Sequence, residues 1–339
     1  MKKLHLLNWL FFSSLLLILI GCGGGGGGTT TESGTVALFV TDNLEDYDHV
    51  ITTITGVEIL HTGSGASCSI LSEAVTLDIA ELSSEFLLLD LTSCAAGQFN
   101  RIRVEMSSTV ELTLNEITDE ECTFTSYKDN ENKPNVLQCN GDTCSMEING
   151  MVNVVVRQNT SLVLDFDLKE FEVENLGEPE CTVTMKVEPL NANDIDDKKN
   201  KGNKESIKGV ISDLDSTNQT FTLTKNKNIF TVLYSDVNQE GIDDLLTFAQ
   251  DNQLKTKVRC SAIDLTSNEC TASEIYVQVE GTVSNLTAST LKLTFNPEIS
   301  VDYTNAEVEG TLVDSARTEV KLFGFDGTSY LAQEVEVES

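Results

Sequence analysis

The chain has 339 residues, enough for two or three domains, and 40% of them are apolar, which excludes global disorder. It carries 54 acidic against 22 basic side chains, a formal charge of −32. Such a surface repels phosphate backbones and anionic lipid, so nucleic acid is not an expected partner. An acidic surface also simply keeps a protein soluble, and that is its default meaning here; cation binding and a basic partner are the functional alternatives.

The N-terminus opens with Lys2 and Lys3, followed by an apolar run from Leu6 to Ile20 broken only by Asn8, Ser13 and Ser14. This is the charged head and apolar stretch of a signal peptide, shorter than the ~20 residues of a comfortable membrane span. The alternative, an uncleaved signal anchor, needs a longer run. The run closes Leu19-Ile20-Gly21-Cys22, which resembles the lipobox of bacterial lipoproteins, whose cysteine is acylated and becomes the first mature residue. The resemblance implies cleavage after Gly21, loss of Lys2 and Lys3, and a charge of −34 in place of −32. Two or three acyl chains would anchor the chain durably. Gly23, rather than aspartate, follows the cysteine, and by resemblance to enterobacterial sorting signals this implies the outer membrane. Gly23 to Gly28 and the polar residues to Gly34 form a tether with a span of roughly 20 Å.

From Gly34 onward the period is two. GTVALFVTD sets Val36, Leu38 and Val40 on one face, and VTLDI (75–79), FNRIRVEM (99–106), STVELTL (108–114), MVNVVVR (151–157) and SLVLDFDL (161–168) read the same way. Short alternating strands separated by Asn, Asp and Gly predict an antiparallel β-sandwich over 35–190. ELSSEFLLLDL (81–91) reads equally as strand or short helix, and TSYKDNENKPN (125–135) as a polar loop or hairpin end. NANDIDDKKNKGNKES (191–206) has no apolar period and holds Lys198, Lys199, Lys201 and Lys204; it reads as a solvated interdomain linker.

A repeat follows. IKGVISDLDSTNQTFTLT (207–224) matches VEGTVSNLTASTLKLT (279–294), aligning Gly209 with Gly281, Ser212 with Ser284 and Leu223-Thr224 with Leu293-Thr294. The ends match as Ala272–Val277 against Ala332–Val337, and between them KVRCSA (257–262) aligns with EVEGTL (307–312), setting Cys260 against Gly310. The expectation is two small β-barrel domains, at 207–278 and 279–339. Only the first copy holds the insertion 237–254, where Ile242, Leu245, Leu246 and Ala249 follow helical spacing and predict one helix over the barrel end. The whole reads as an all-β chain: leader 1–21, lipid-bearing Cys22 and tether 22–34, sandwich, linker, two barrels.

With Cys22 reserved for lipid, Cys68, Cys94, Cys122, Cys139, Cys144, Cys181, Cys260 and Cys270 remain, an even set that in an exported chain predicts four disulfides. Cys260–Cys270 and Cys68–Cys94 are the expected pairs; the other four cysteines leave their pairing open. No paired CxxC spacing supports zinc.

Residues 34–190 resemble a bacterial lipoprotein domain family of unknown function. The carrying motifs are Thr41-Asp42, the acidic loop Leu44 to Asp48, Gly56-Val57-Glu58, the G-x-F-x-x-I-R of Gly97, Phe99, Ile102 and Arg103, and Leu164 to Asp167. Asn43 stands where the family often has proline. The repeats resemble a second uncharacterised family of small exported β-barrels. Neither resemblance implies an activity.

Candidate chemistry is sparse. His49 and His61 lie outside any hydrolase or zinc-protease motif, so strand-edge packing is the expected role of His49. Asp42, Glu45, Asp46 and Asp48 offer oxygen ligands that could wrap a structural Ca²⁺, but without the EF-hand glycine and closing glutamate a solvated acidic turn is the default; NANDIDD (191–197) is weaker still. No other cofactor is expected. Arg101 and Arg103 share a strand face and are expected to pair with Asp165 or Asp167. The functional expectation is a non-catalytic binding or scaffolding module, anchored to the outer membrane and facing periplasm or cell surface. Its partner would be an unidentified envelope or extracellular molecule. The alternatives are an envelope glycan hydrolase using paired carboxylates and a Ca-dependent surface adhesin.

Overall fold

The structure, a computed structural model, describes residues 32–42, 47–114, 117–128, 134–178, 180–295 and 298–337. The leader, Cys22 and the tether up to Thr31 lie outside them. The first region comprises β1 (Ser33–Asp42), β2 (His49–Leu60), β3 (Ser67–Leu71), β4 (Val75–Asp78), β5 (Glu85–Ala95), β6 (Gly97–Ser107) and β7 (Thr109–Leu114). It continues through β8 (Ile117–Lys128), β9 (Pro134–Val136), β10 (Gln138–Asn140), β11 (Thr143–Val154), β12 (Asn159–Phe166), β13 (Glu172–Glu174) and β14 (Thr182–Pro189). The ambiguous 81–91 segment resolves into a 3-10 turn, Ala80–Leu82, and the start of β5. Of the polar 125–135 segment, the described residues 125–128 and 134–135 lie in the antiparallel strands β8 and β9, and 129–133 lie outside the described residues.

These strands make two layers. One is built around β2, flanked by β6 and β11 along one half and by β7 and β8 along the other. The other runs β5–β1–β12, with β1 and β12 parallel. β14 joins the layers, pairing with β8 through Thr182–Lys186 and with β12 through Val187–Pro189. Val36, Leu38 and Val40 point into the core between the layers, as their period requires. Their alternates Ala37 and Phe39, with Phe86, Leu88 and Val163, are buried in a second core on the opposite face. The β5–β1–β12 layer is therefore covered on both sides, which is why its strands read as nearly unbroken apolar runs.

The second core belongs to the repeats. After α1 (Ala192–Asn200), β15 (Lys204–Asp215), β16 (Thr220–Lys225), β17 (Asn228–Leu233), α2 (Ile242–Asp251) and β18 (Lys255–Asp264) lead into β19 (Glu269–Ser284). Then come β20 (Thr290–Thr294), β21 (Ile299–Asp302), β22 (Glu307–Glu309), β23 (Arg317–Phe325) and β24 (Tyr330–Val337). β15 pairs with β16, β16 with β17, β17 with β19 in parallel, β19 with β18, and β18 back with β15. This closed five-stranded order, with a helix between the third and fourth strands, is the connectivity of the OB-fold. The far half of β19 opens a second circuit through β20, β21, β24 and β23, in which β22 occupies the sequence position of α2. One unbroken strand thus serves both barrels. α2 buries Leu245, Leu246 and Ala249 of the expected face, with Ile242 half-buried against the core and Phe248 buried beside them.

The registers explain the repeat. Gly209 pairs with Thr256 and Gly281 with Thr318, so the two glycines are equivalent. A Cβ on Gly209 would lie 2.5 Å from the Thr224 carbonyl oxygen, and one on Gly281 would lie 2.6 Å from Leu293 Cγ. Each glycine lets the first barrel strand curl over the second. The ends also agree: Val277 and Val337 face the equivalent Thr256 and Thr318. The middle of the sequence alignment does not hold. Cys260 pairs with Ala272 and Leu322 with Ala332, so the counterpart of Cys260 is Leu322 and not Gly310. The EVE of β22 imitates the alternation of β18, and alternation alone does not fix register.

The lysine-rich 191–206 segment joins the sandwich to the first barrel through α1, a helix with no buried residue, and the start of β15. Asn191 caps α1 in a capping box with Asp194. Lys198, in its last turn, donates to the Asp42 carbonyl oxygen at 2.7 Å and lies 3.3 Å from Asp165. β15 starts at Lys204 and pairs in parallel with β5, extending the sandwich layer into the first barrel. The residues from Glu32 on form one compact unit.

Four disulfides tie the chain: Cys68–Cys94, Cys122–Cys181, Cys139–Cys144 and Cys260–Cys270. The first and last are the expected pairs, and the set left open resolves into the other two.

Candidate functional site

The sandwich and both barrels converge on one charged junction. Its floor is the outer face of the sheet β15–β18–β19–β23–β24. On β18, Lys255, Lys257 and Arg259 alternate outward while Thr256, Val258 and Cys260 fill the barrel. Lys208 on β15 lies directly opposite Lys257, and Lys321 on β23 lies between Gln278 and Glu334. The sandwich lays β4 and the 3-10 turn Ala80–Leu82 over this face.

Three contacts clamp the layers together. Glu85, fully buried at the start of β5, pairs with Lys257 and with Arg259 Nε at 3.5 Å. Glu81 reaches Lys321 and lies 3.7 Å from Lys257. Although burial opposes its charge, these lysines hold its carboxyl down at about 2. His49, the first residue of β2, spans from sandwich to second barrel: Nδ1 meets Asp78 at 2.6 Å and Nε2 meets Glu309 at 2.6 Å. The Asp78 and Glu309 hydrogen bonds raise its pKa to about 11. With both nitrogens donating to carboxylates, His49 is an imidazolium strut and has no lone pair for base catalysis.

The strut has a pH signature. Its folded pKa lies above the ordinary 6.5, so its stabilisation is complete below about pH 6.5 and is lost as pH climbs towards 11. His49→Gln is expected to cost about 2 kcal/mol at pH 6, with the gap to wild type closing above pH 10. Urea unfolding of both proteins at several pH values checks this; a gap that does not change with pH would remove the imidazolium from the clamp.

Between β4 and the barrel floor lies a cleft of about 610 Å³, within the size range of small-ligand sites. Ile51, Val75, Leu77, Leu82 and Leu87 give it an apolar side. Three of its acids are engaged, Asp78 by His49, Glu81 by lysines and Glu319 by the Gln278 amide, while Glu336 lies 3.9 Å from a His49 Nε2 that already meets Glu309. Burial pushes Glu336 up to about 7. Its lysines are less balanced. Lys208 and Lys255 form no ion pair among the described residues. Lys225, the last inward residue of β16, is 9% exposed and donates to the Leu88 carbonyl oxygen at 2.6 Å. Burial pushes Lys225 down to about 8 against the attraction of Asp90, and it likewise lowers Lys208 against Glu81 and Glu319, with Lys257 and Lys255 adding to the lowering.

The candidate residues named from sequence fall elsewhere. Asp42 is buried, with Oδ1 accepting from the Leu168 N–H at 3.1 Å, while Glu45 and Asp46 lie outside the described residues. The Asp48 N–H donates to the Thr113 carbonyl oxygen. No group of three or more His, Cys, Asp or Glu side chains among the described residues is arranged to hold a metal ion. Arg103 does not pair with Asp165 or Asp167. It lies in register between Glu58 and Glu147 and bonds both, because cross-strand neighbours are closer than the other layer. Asp165 takes Lys198, and Asp167 takes Lys186 at 3.3 Å. Burial raises Asp165 to about 6. His61 sits in a turn, its Nδ1 accepting from the Gly63 and Ser64 N–H groups. The lysine side of the cleft was not foreseen. Its signal was KTKVR (255–259), a basic stripe at period two in a chain with 22 basic residues.

Residues 33–184, which make up the sandwich as far as the start of β14, match the sequence family described as a domain of unknown function, DUF4382. No curated protein and no solved structure matches the chain.

Proposed function

We propose that this is a lipid-anchored cell-envelope protein, a binding or scaffolding module without catalytic activity of its own, attached through Cys22 to the outer membrane. The cleft carries the binding part of the reading: it is of ligand size, its acids other than Glu336 are tied into structural pairs, and three of its lysines have no carboxylate within 4 Å among the described residues. The clamps around it favour a preformed site, which lowers the entropic cost of capture. The barrels, which resemble a second exported family, would extend the surface that faces the partner.

The glycan-hydrolase alternative has one observation in its favour, since Glu336 near 7 has the pKa of a general acid. Among the described residues it has no second cleft carboxylate free to act as base or nucleophile, because the other cleft acids are held by His49, lysines and Gln278. The Ca-dependent adhesin alternative rests on the Asp42–Asp48 loop and gains nothing from the cleft.

Two readouts test the proposal. The wild-type chain is expected in the membrane fraction and Cys22→Ala in the soluble fraction. Isolated envelope material is expected to retain the full-length chain saturably without releasing reducing sugar. Membrane retention of Cys22→Ala would end the anchor claim. Sugar release abolished by Glu336→Gln would replace the binding module with the hydrolase.

A further inference from the structure

We infer that the cleft between β4 and the first barrel binds a small, multiply charged anion, with Lys208, Lys225 and Lys255 supplying the charge. The inference rests on the binding reading above and names the ligand class for that site.

Pairing inside the cleft is unequal. Asp78, Glu81 and Glu319 each have a partner within the protein, whereas Lys208, Lys225 and Lys255 have no carboxylate within 4 Å among the described residues. Lys225 donates to a carbonyl oxygen, and the carboxylates that act on Lys208 (Glu81, Glu319) and on Lys225 (Asp90) do so from beyond that distance. Lys257, directly opposite Lys208 in the ladder, is consumed by Glu85 and Glu81. Lysines facing one another across strands repel, and burial at Lys208 and Lys225 sharpens the cost. In a chain of net charge −32, folding gathers these cations into one apolar-sided cleft at an energetic cost. A bound anion would offset that cost by supplying the missing counter-charges.

The available groups also define the ligand. Arg259 is occupied by Glu85 and Glu274, so no planar guanidinium fork is left to select one anion geometry. Lysine ammonium groups are point charges and take carboxylate or phosphoryl oxygens alike. Three of them along one cleft favour a ligand carrying two or more such groups. Asn226, Thr224 and Gln278, whose buried Oε1 has no hydrogen-bond partner, add neutral polar contacts that suit hydroxyls.

The test titrates the full-length chain in neutral detergent, at low ionic strength, with citrate and separately with pyrophosphate. Saturable binding of at least one is expected, and which one binds decides between a polycarboxylate and a phosphate ester. Lys208→Gln and Lys255→Gln, both at the cleft wall, should each weaken binding about tenfold. Lys292→Gln, on β20 and paired with Glu298, removes the same charge elsewhere and should leave binding unchanged. Equal loss in all three variants would reduce the effect to net charge and overturn the site, as would undiminished binding in Lys208→Gln and Lys255→Gln. If neither anion binds while envelope retention of the wild-type chain persists, this inference alone falls. If retention is also absent, the binding reading beneath it falls too.

Discussion

Glu85→Ala is expected to destabilise the folded chain by about 3–5 kcal/mol, the cost of removing one partner from a buried ion pair. Glu85 is completely buried, and its carboxylate is the sandwich's contribution to Lys257 and Arg259 of the first barrel. Its removal leaves two cations to share Glu81 and Glu274, the first 3.7 Å from Lys257 and the second 3.0 Å from Arg259. Those partners already serve Lys321 and the Tyr276 hydroxyl, so compensation is incomplete. The comparison variant is Glu298→Ala, which breaks the half-exposed pair with Lys292 and should cost about 0.5 kcal/mol or less. Urea unfolding distinguishes them. Because β15 extends the β5 layer and one core spans both, wild type should lose sandwich and first barrel in one transition, and Glu85→Ala should split it. Equal costs for the two variants would show that the junction does not depend on its buried carboxylate.

That junction also marks where sequence reasoning stopped. The alternation of Val36, Leu38 and Val40 was legible because one side of a strand faces one core. The companion signal, Ala37 and Phe39 on the other side, was equally present and means a second buried face. It carries weight only when something is known to cover it, and the cover lies more than 160 residues downstream in the repeats. Local regularities survived: the repeat glycines, the helix spacing of 242–249 and the pairs Cys68–Cys94 and Cys260–Cys270 rest on short-range geometry, although the closest pair in sequence, Cys139–Cys144, was left open. The charged residues did not. Lys198 was read as linker because α1 has no apolar face, yet its role is to reach Asp42 and Asp165. His49 is equally uninformative in sequence, since Glu309 lies 260 residues away and only closure of the second barrel brings it within 2.6 Å. Patterns of burial repeat along a chain, whereas ion pairs between distant elements leave no period.

Removing Cys122–Cys181 should cost about 4 kcal/mol, and removing Cys139–Cys144 about 2 kcal/mol, because loop-closure entropy grows with the length of chain enclosed. The first encloses a separation of 59 residues and the second only 5. Topology widens the difference. Cys139 and Cys144 are register partners in the β10–β11 hairpin, whose turn already holds them together. Cys122 lies on β8 and Cys181 immediately precedes β14, two parallel strands that no hairpin can connect. The Thr123 N–H donates to the Cys181 carbonyl oxygen at 3.0 Å, so the bridge sets the point from which the parallel register runs. β14 then crosses to pair with β12, and a slip there would turn Val183, Met185 and Val187 out of the core. Both cysteines are buried, which adds lost packing to lost constraint. Thermal and urea melts of the Cys122→Ala/Cys181→Ala and Cys139→Ala/Cys144→Ala double variants provide the comparison. If the hairpin pair proves as costly as the long-range pair, the bridges act through local packing and the parallel register is held by the hydrogen-bond ladder itself.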